Sequence, residues 1–214
     1  MLLRGLMAAT LIGFASASAN AMTYTLDPNH TQVQFIWNHY GFTDLTGQFG
    51  KIEGTLEFDA ADPTRSSVSA TIAMQSVHSN IEKLDGKLVS SDYFDVEKYP
   101  TATFKSTKVE KGATPDRLSV TGDLTLHGVT KPVTLDVTLI KVGTNPRTHL
   151  PTVGFSGNAT VSRSQFGLGK FVPQVADEIY IQIGAQAVES QAYSKYLKEK
   201  EAADAAEKVA EQNK

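Results

Sequence analysis

Val153-Gly154-Phe155-Ser156-Gly157-Asn158-Ala159-Thr160-Val161-Ser162-Arg163 alternates apolar or small residues with polar ones along its whole length. Successive side chains of a strand point to opposite faces. Val153, Phe155, Gly157, Ala159, Val161 and Arg163 therefore share one side, with Ser156, Asn158, Thr160 and Ser162 on the other. The stretch predicts a strand with one buried face, and that face ends on a cation. A buried charge is costly unless it is paired or hydrogen-bonded. Arg163 thus marks either a structural ion pair or the polar anchor of an apolar pocket.

The same period of two recurs on both sides of this stretch. Upstream it runs through Val33, Phe35, Trp37 and His39, then Ile52, Gly54, Leu56 and Phe58, then Val68, Ala70, Ile72 and Met74, with a shorter case in Ala102, Phe104 and Ser106. Longer stripes follow in Leu118, Val120, Leu124 and Leu126, in Val133, Leu135, Val137 and Leu139, and finally in Ile179, Ile181 and Ile183. One-faced alternation of this kind predicts an antiparallel sheet. His127-Gly128, between Leu126 and Val129, reads as a tight hairpin turn with positive φ at both residues. One interior helix is expected: Ser79-Asn80-Ile81-Glu82 has capping-box spacing, and Ile81, Leu84 and Leu88 recur at helical intervals, ending near Ser90 or Ser91.

With Tyr24 joined to the first stretch there are about eight strands, enough for a sheet to curl and close, which removes exposed edges. The fold class expected is all-β, an antiparallel barrel of about eight strands with one short inserted helix and a C-terminal helical tail. A barrel of that size is either just filled by side chains or holds one small ligand. Gly54, Ala70, Gly157 and Ala159 face inward and leave room, unless they interdigitate with larger neighbours.

The ends set the compartment. Arg4, the apolar run from Leu6 to Ala15 and Ala19-Asn20-Ala21 read as a cleaved export signal over 1–21, too short to span a bilayer, so the mature chain is expected to start at Met22 in the periplasm. The barrel domain is assigned to 22–189. A tail of Ala, Glu and Lys follows over 190–214, its start able to dock through Tyr193, Tyr196 and Leu197. The absence of cysteine excludes disulfides, thiolate zinc sites and thiol chemistry. Without Arg4 the chain carries 19 basic against 23 acidic side chains, a net of −4, which argues against nucleic acid and anionic membrane surfaces as partners.

Four segments resemble the YceI-like family: Tyr24-Thr25-Leu26-Asp27-Pro28-Asn29-His30, Gly47-Gln48-Phe49-Gly50-Lys51-Ile52-Glu53-Gly54, Ser90-Ser91-Asp92-Tyr93-Phe94-Asp95-Val96-Glu97-Lys98-Tyr99-Pro100, and, most specific, Thr121-Gly122-Asp123-Leu124-Thr125-Leu126-His127-Gly128-Val129-Thr130-Lys131-Pro132-Val133. The resemblance spans nearly all of 22–189. It implies a periplasmic, lipocalin-like barrel whose apolar cavity binds polyisoprenoid or similar long-chain lipid, with no other cofactor. It does not include the tail after Ser190.

The residues expected to contact such a ligand are Phe35, Trp37, His39, Phe49, Leu84, Leu88, Phe104, Phe155, Arg163 and Phe166, with Arg163 forking onto the head group. No catalytic residue is assigned. An alternative, an enzyme acting on an isoprenoid or quinone, has His39 as its one inward histidine for a general base. A third reading is a filled scaffold whose tail docks a partner, and a homodimer is compatible with all three. The five histidines are scattered without ligand spacing and no Gly-x-Ser-x-Gly elbow is present, so neither a metal site nor a serine triad is expected.

Overall fold

The structure, a computed structural model, describes residues 21–212; apart from Ala21, the expected export signal lies outside the described residues. The strands are β1 (Met22–Leu26), β2 (Gln32–His39), β3 (Thr43–Phe49), β4 (Ile52–Phe58), β5 (Ser67–Ala73), β6 (Val77–His78), β7 (Thr101–Lys111), β8 (Arg117–Leu126), β9 (Val129–Thr144), β10 (Pro151–Ser162) and β11 (Glu178–Glu189). Two α-helices accompany them: α1 (Glu82–Val89) between β6 and β7, and α2 (Ser190–Gln212) directly after β11.

Eight strands, in the order β1-β4-β5-β7-β8-β9-β10-β11, close into an antiparallel barrel when β11 pairs back onto β1. The remaining three extend the wall at one end. β11 pairs through Ile183 and Ile181 with Val33 and Phe35 of β2, and β3 joins β2 and the short β6. β3 is not visible as alternation in the sequence because Gly47 interrupts an inward stripe whose only large apolar members are Leu45 and Phe49. β10 behaves as read: Val153, Ala159 and Val161 are buried, with Phe155 and Gly157 on the same face opposite Ala185 and Ile183.

The local signals are met in most places. His127 and Gly128 have φ of 51° and 75°, as a type I′ turn requires. α1 stops at Ser90, whose hydroxyl bonds the Lys87 carbonyl. The capping box is not formed as expected: Ser79 pairs with Asp85, which accepts from its backbone N at 2.6 Å and its hydroxyl at 2.5 Å, so the acid that closes the first turn is Asp85 and not Glu82. In α2, Tyr193 is buried against the barrel, while Leu197 is exposed. Glu189 caps this helix, accepting from the backbone N–H groups of Gln191 and Ala192 at 3.0 and 2.7 Å.

Chain passage from β1 to β2 turns a corner at residues 27–31, and that corner is held by Asp27, 6% exposed. Its carboxylate accepts from His30 Nδ1 at 2.5 Å, Asn29 N at 3.0 Å, Gln186 Nε2 at 3.2 Å and Tyr193 Oη at 3.2 Å. Its own N–H donates to the Gln186 carbonyl at 2.8 Å, and Thr31 Oγ1 donates to the same carbonyl. Below the corner Tyr24, Leu26, Leu56, Phe58, Val153 and Ala187 fill the barrel as one cluster.

Burial works against ionisation of Asp27, but the hydrogen bonds from His30 and Asn29 outweigh it and hold the carboxyl below the ordinary carboxylate range. A carboxyl depressed in the folded state adds stability that is present above its unfolded pKa, about 3.9, and lost as pH falls through the folded value. Asp27→Asn should therefore melt below the parent protein at pH 7, and the gap in melting temperature should close as pH is lowered below about 4. Thermal unfolding of both proteins across that range checks it, and a gap independent of pH would contradict this role.

Candidate functional site

Above the corner the barrel is hollow. A cavity of about 370 Å³ opens beside α1, and a smaller one of about 120 Å³ lies toward the opposite end. The larger value falls within the range of known ligand pockets, roughly 300–1,000 Å³. Its wall is aromatic: the rings of Phe35 and Trp37 stack with centroids 5.5 Å apart, Phe49 lies 5.2 Å from Phe35, and Phe94 meets Phe35 edge-on at 6.0 Å. Leu84 and Leu88 bring the apolar face of α1 over this box.

One glycine shapes the box. A Cβ on Gly47 would sit 2.2 Å from Cζ of Phe35, so only glycine lets that ring lie flat on β3 and leave the space in front of it open. Inward glycines act differently elsewhere. Gly54 is occupied by the close approach of β5 and Leu26, whereas at Gly157 the nearest atom is 3.6 Å from a would-be Cβ, so it does contribute room, to the smaller cavity.

The expected contact residues sort into three groups. Phe35, Trp37, His39 and Phe49, with Leu84, Leu88 and Arg163, all line the larger cavity. Phe155 lines the smaller one instead, on the far side of the barrel interior. Phe104 and Phe166 line neither, which corrects the expectation for both. The Phe104 ring fills the place a Gly122 side chain would take, 2.5 Å from its would-be Cβ. Phe166 follows β10 in a short 3-10 turn and is fully buried with Val133, Ala159, Val161 and Leu168, its carbonyl 3.1 Å from His127 Nδ1.

Arg163 differs most from expectation. Its guanidinium borders the cavity but spends its hydrogen bonds on backbone carbonyls and not on a carboxylate. Nε donates to the Ala176 carbonyl at 2.8 Å, one terminal nitrogen to Val175 at 3.0 Å, and the other to Lys170 at 2.9 Å and to Leu168. Asp177, the nearest acid, is engaged by the N–H and hydroxyl of Ser164 at 2.8 and 2.7 Å. Burial pulls the guanidinium below its ordinary value, opposed by the charge of Asp177, and from so high a starting point it remains a cation. The residue is a clamp that fastens the loop of residues 167–177 across one side of the mouth.

That loop, α1 with the segment after it, and the β2–β3 turn supply mouth residues that strand alternation could not reveal: Lys87, Tyr93, Lys170, Phe171 and Tyr40. Lys170 pairs with Asp92 at 2.8 Å and lies 5.5 Å from the Phe171 ring. His39 faces the mouth edge-on to Tyr40, centroids 4.6 Å apart. No aspartate or glutamate lines the cavity, and no group of three His, Cys, Asp or Glu among the described residues could hold a metal ion.

Against known proteins, the model of the YceI-like domain matches residues 24–187. The chain belongs to the YceI-like family. Among its YceI relatives, protein YceI of Escherichia coli O157:H7 is 37% identical over 189 residues, covering 87% of this chain and 97% of the relative, and a UPF0312 protein of Pseudomonas aeruginosa is 34% identical over 192 residues, covering 87% and 99%. The crystal structure of Burkholderia cenocepacia BcnA has a TM-score of 0.68 at 27% identity, covering 75% of this chain and 98% of that one. A polyisoprenoid binding domain from Saccharophagus degradans shares the fold with a TM-score of 0.61 at 13% identity, covering 78% and 99%. The YceI-like stretches read from sequence prove to be corners and supports: Asp27 at the β1–β2 corner, Gly47 beneath Phe35, and His127-Gly128 beside the clamped loop.

Two substitutions separate wall from clamp. Gly47→Val should drive Phe35 into the cavity and cost about 1–3 kcal/mol by overpacking, read as a lower denaturant midpoint. Arg163→Lys should leave the barrel ladders intact but raise amide hydrogen exchange in residues 168–176, because one ammonium cannot replace a planar fork bonded to four carbonyls. Exchange unchanged in that loop would remove the clamp assignment.

Proposed function

We propose that the barrel binds the apolar chain of a polyisoprenoid or similar long-chain lipid, including isoprenoid quinones, as an exported periplasmic carrier that performs no chemistry on it. The observation that carries this reading is the aromatic cavity above Asp27, open at one end and bounded by apolar side chains except at its mouth. Such a space favours long hydrocarbon: at about 0.8 kcal/mol per buried methylene, some twenty carbons give on the order of 15 kcal/mol gross, enough to offset association costs of roughly 4–15 kcal/mol. A small polar metabolite would leave most of the wall without a partner. The Saccharophagus degradans domain, a barrel of the same fold, is named for polyisoprenoid binding, which adds support.

Polar groups gather where a head group would emerge. Lys87, Tyr93 and Lys170 are at the mouth, and with Arg163 engaged by the backbone they take over the anchoring role first given to it. A catalytic reading through His39 draws no comparable support, since its ring rests edge-on against Tyr40 and no described side chain orients it by a hydrogen bond.

Native mass spectrometry of protein gently extracted from its own host should show a co-purified long-chain lipid. Repeatedly empty barrels would count against the proposal. In vitro, the single tryptophan, Trp37, stands in the cavity wall, so its emission should shift and saturate as a polyprenol in detergent is added; no change at saturating lipid would rule out the cavity as the site.

A further inference from the structure

The mouth carries exposed apolar side chains that neither the barrel nor lipid binding inside it explains. Phe42, at the β2–β3 turn, is 92% exposed, Tyr40 on the same turn 46%, and Phe171, at the tip of the clamped loop, 50%. The two tips are held beside each other. Ala176 N donates to the Asn38 carbonyl at 3.0 Å, and His39 bridges to Val175. Tyr40 and Phe171 line the cavity entrance as well, so the patch is continuous with the opening. Lys87 and Lys170 flank it.

We propose that this rim is a docking surface for a lipid bilayer, seated by Phe42 and Phe171 at head-group depth so that a hydrocarbon chain passes between membrane and cavity without crossing water. The inference rests on the lipid-binding reading. Aromatic side chains on loop tips beside lysines have the composition that settles at the membrane interface, with the ring in the acyl boundary and the ammonium among phosphates. A protein partner would leave unexplained why the patch borders the entrance to an apolar cavity. The low overall charge is consistent with shallow, reversible docking: the chain lacks the positive field that holds a protein on a membrane by electrostatics alone, so the rings must supply the attraction.

Clamping by Arg163 gives this surface its shape. Four carbonyls of residues 168–176 face the guanidinium. They are thereby satisfied inside the loop, and a loop whose carbonyls are satisfied can press on hydrocarbon at lower cost.

Flotation of the full mature chain with vesicles of phosphatidylethanolamine and phosphatidylglycerol tests the proposal. The parent protein should float, Phe42→Ser should lower the bound fraction about tenfold, roughly what loss of one buried phenyl ring implies, and Phe42→Trp should restore it. Ile140→Ser removes an apolar side chain that is exposed on β9, outside the cavity lining, and should float like the parent. Uptake of a polyprenol from detergent, read by Trp37, should be equal in the parent and Phe42→Ser, whereas uptake from vesicles should be about tenfold slower in the variant. Equal flotation of parent and Phe42→Ser overturns the docking surface, as does a parent that does not float. Sedimentation showing that Phe42→Ser converts a dimer to a monomer overturns it too, by placing a second copy on the patch. Failure of the parent to take up lipid even from detergent would strike the lipid-binding reading itself, a separate outcome.

Discussion

Everything in this barrel depends on one strand serving two partners. The inner half of β11, Ala187 to Glu189, pairs with β1, and its outer half, Tyr180 to Gly184, pairs with β2. Between them the ladder is interrupted, and the Asp27 corner replaces the missing rungs through Gln186. Neighbouring strands turn at corresponding points: β3 passes to β4 at Gly50-Lys51, where Lys51 N donates to Ser76 Oγ at 3.1 Å, and β5 passes to β6 through the 3-10 turn Met74–Ser76. Three adjacent walls thus bend together. Inward parity moves from even-numbered residues in β1 and β4 to odd-numbered ones in β2 and β3, and the barrel flares above the bend. The bend separates the larger hollow at the mouth from the buried cluster and the smaller cavity below it.

At the mouth, cation chemistry is used for architecture before recognition. Arg163 satisfies four carbonyls of a loop that has no sheet to pair with, and a planar fork with several fixed donors suits that task where a lysine does not. His127 does the equivalent from the β8–β9 turn, reaching the Phe166 carbonyl while packing against Tyr99. The surroundings of the opening are therefore built from side chain to backbone bonds. This leaves Lys87 and Lys170, on α1 and the loop tip, as the more adaptable charges.

How much of this was legible follows from periodicity. Strands with one clean apolar stripe, such as β10 and β9, announce themselves, and so does the His127-Gly128 turn. β3 and the short β6 do not, since two rungs and a glycine-broken stripe fall below any period-two signal. For the site, Phe35, Trp37, His39 and Phe49 follow from parity or from the family resemblance, and Leu84 and Leu88 from helical spacing. Phe104 and Phe166 defeat parity because it gives the face of a strand and not the depth along the barrel or the identity of the facing residue; Gly122 receives one ring, and a 3-10 turn redirects the other. Arg163 was found for the right reason, a cation ending an inward stripe, but which oxygens take its donors depends on a loop with no periodic pattern. Asp27, the hub of the fold, was visible within its motif, and nothing local in that motif shows that its partners lie at Gln186 and Tyr193.

The hollow also has a thermodynamic consequence. Sealed cavities in protein cores cost about 24 cal/mol per Å³, so a void of about 370 Å³ would cost at most roughly 9 kcal/mol, comparable with the whole stability of an ordinary domain. The open mouth makes this an upper bound, because the neighbouring walls are not required to enclose vacuum. Even so, side chains would relax into such a space unless held back. What holds them is the closed ladder of the eight barrel strands, with β2 and β3 paired along β11 and each other, together with the stacked Phe35 and Trp37 rings, which brace one another against collapse. A filled interior would be the more stable solution for a chain with no ligand to accommodate. The persistence of the cavity, with a glycine placed beneath Phe35 to keep it open, is the physical reason to regard the space as the working part of the molecule.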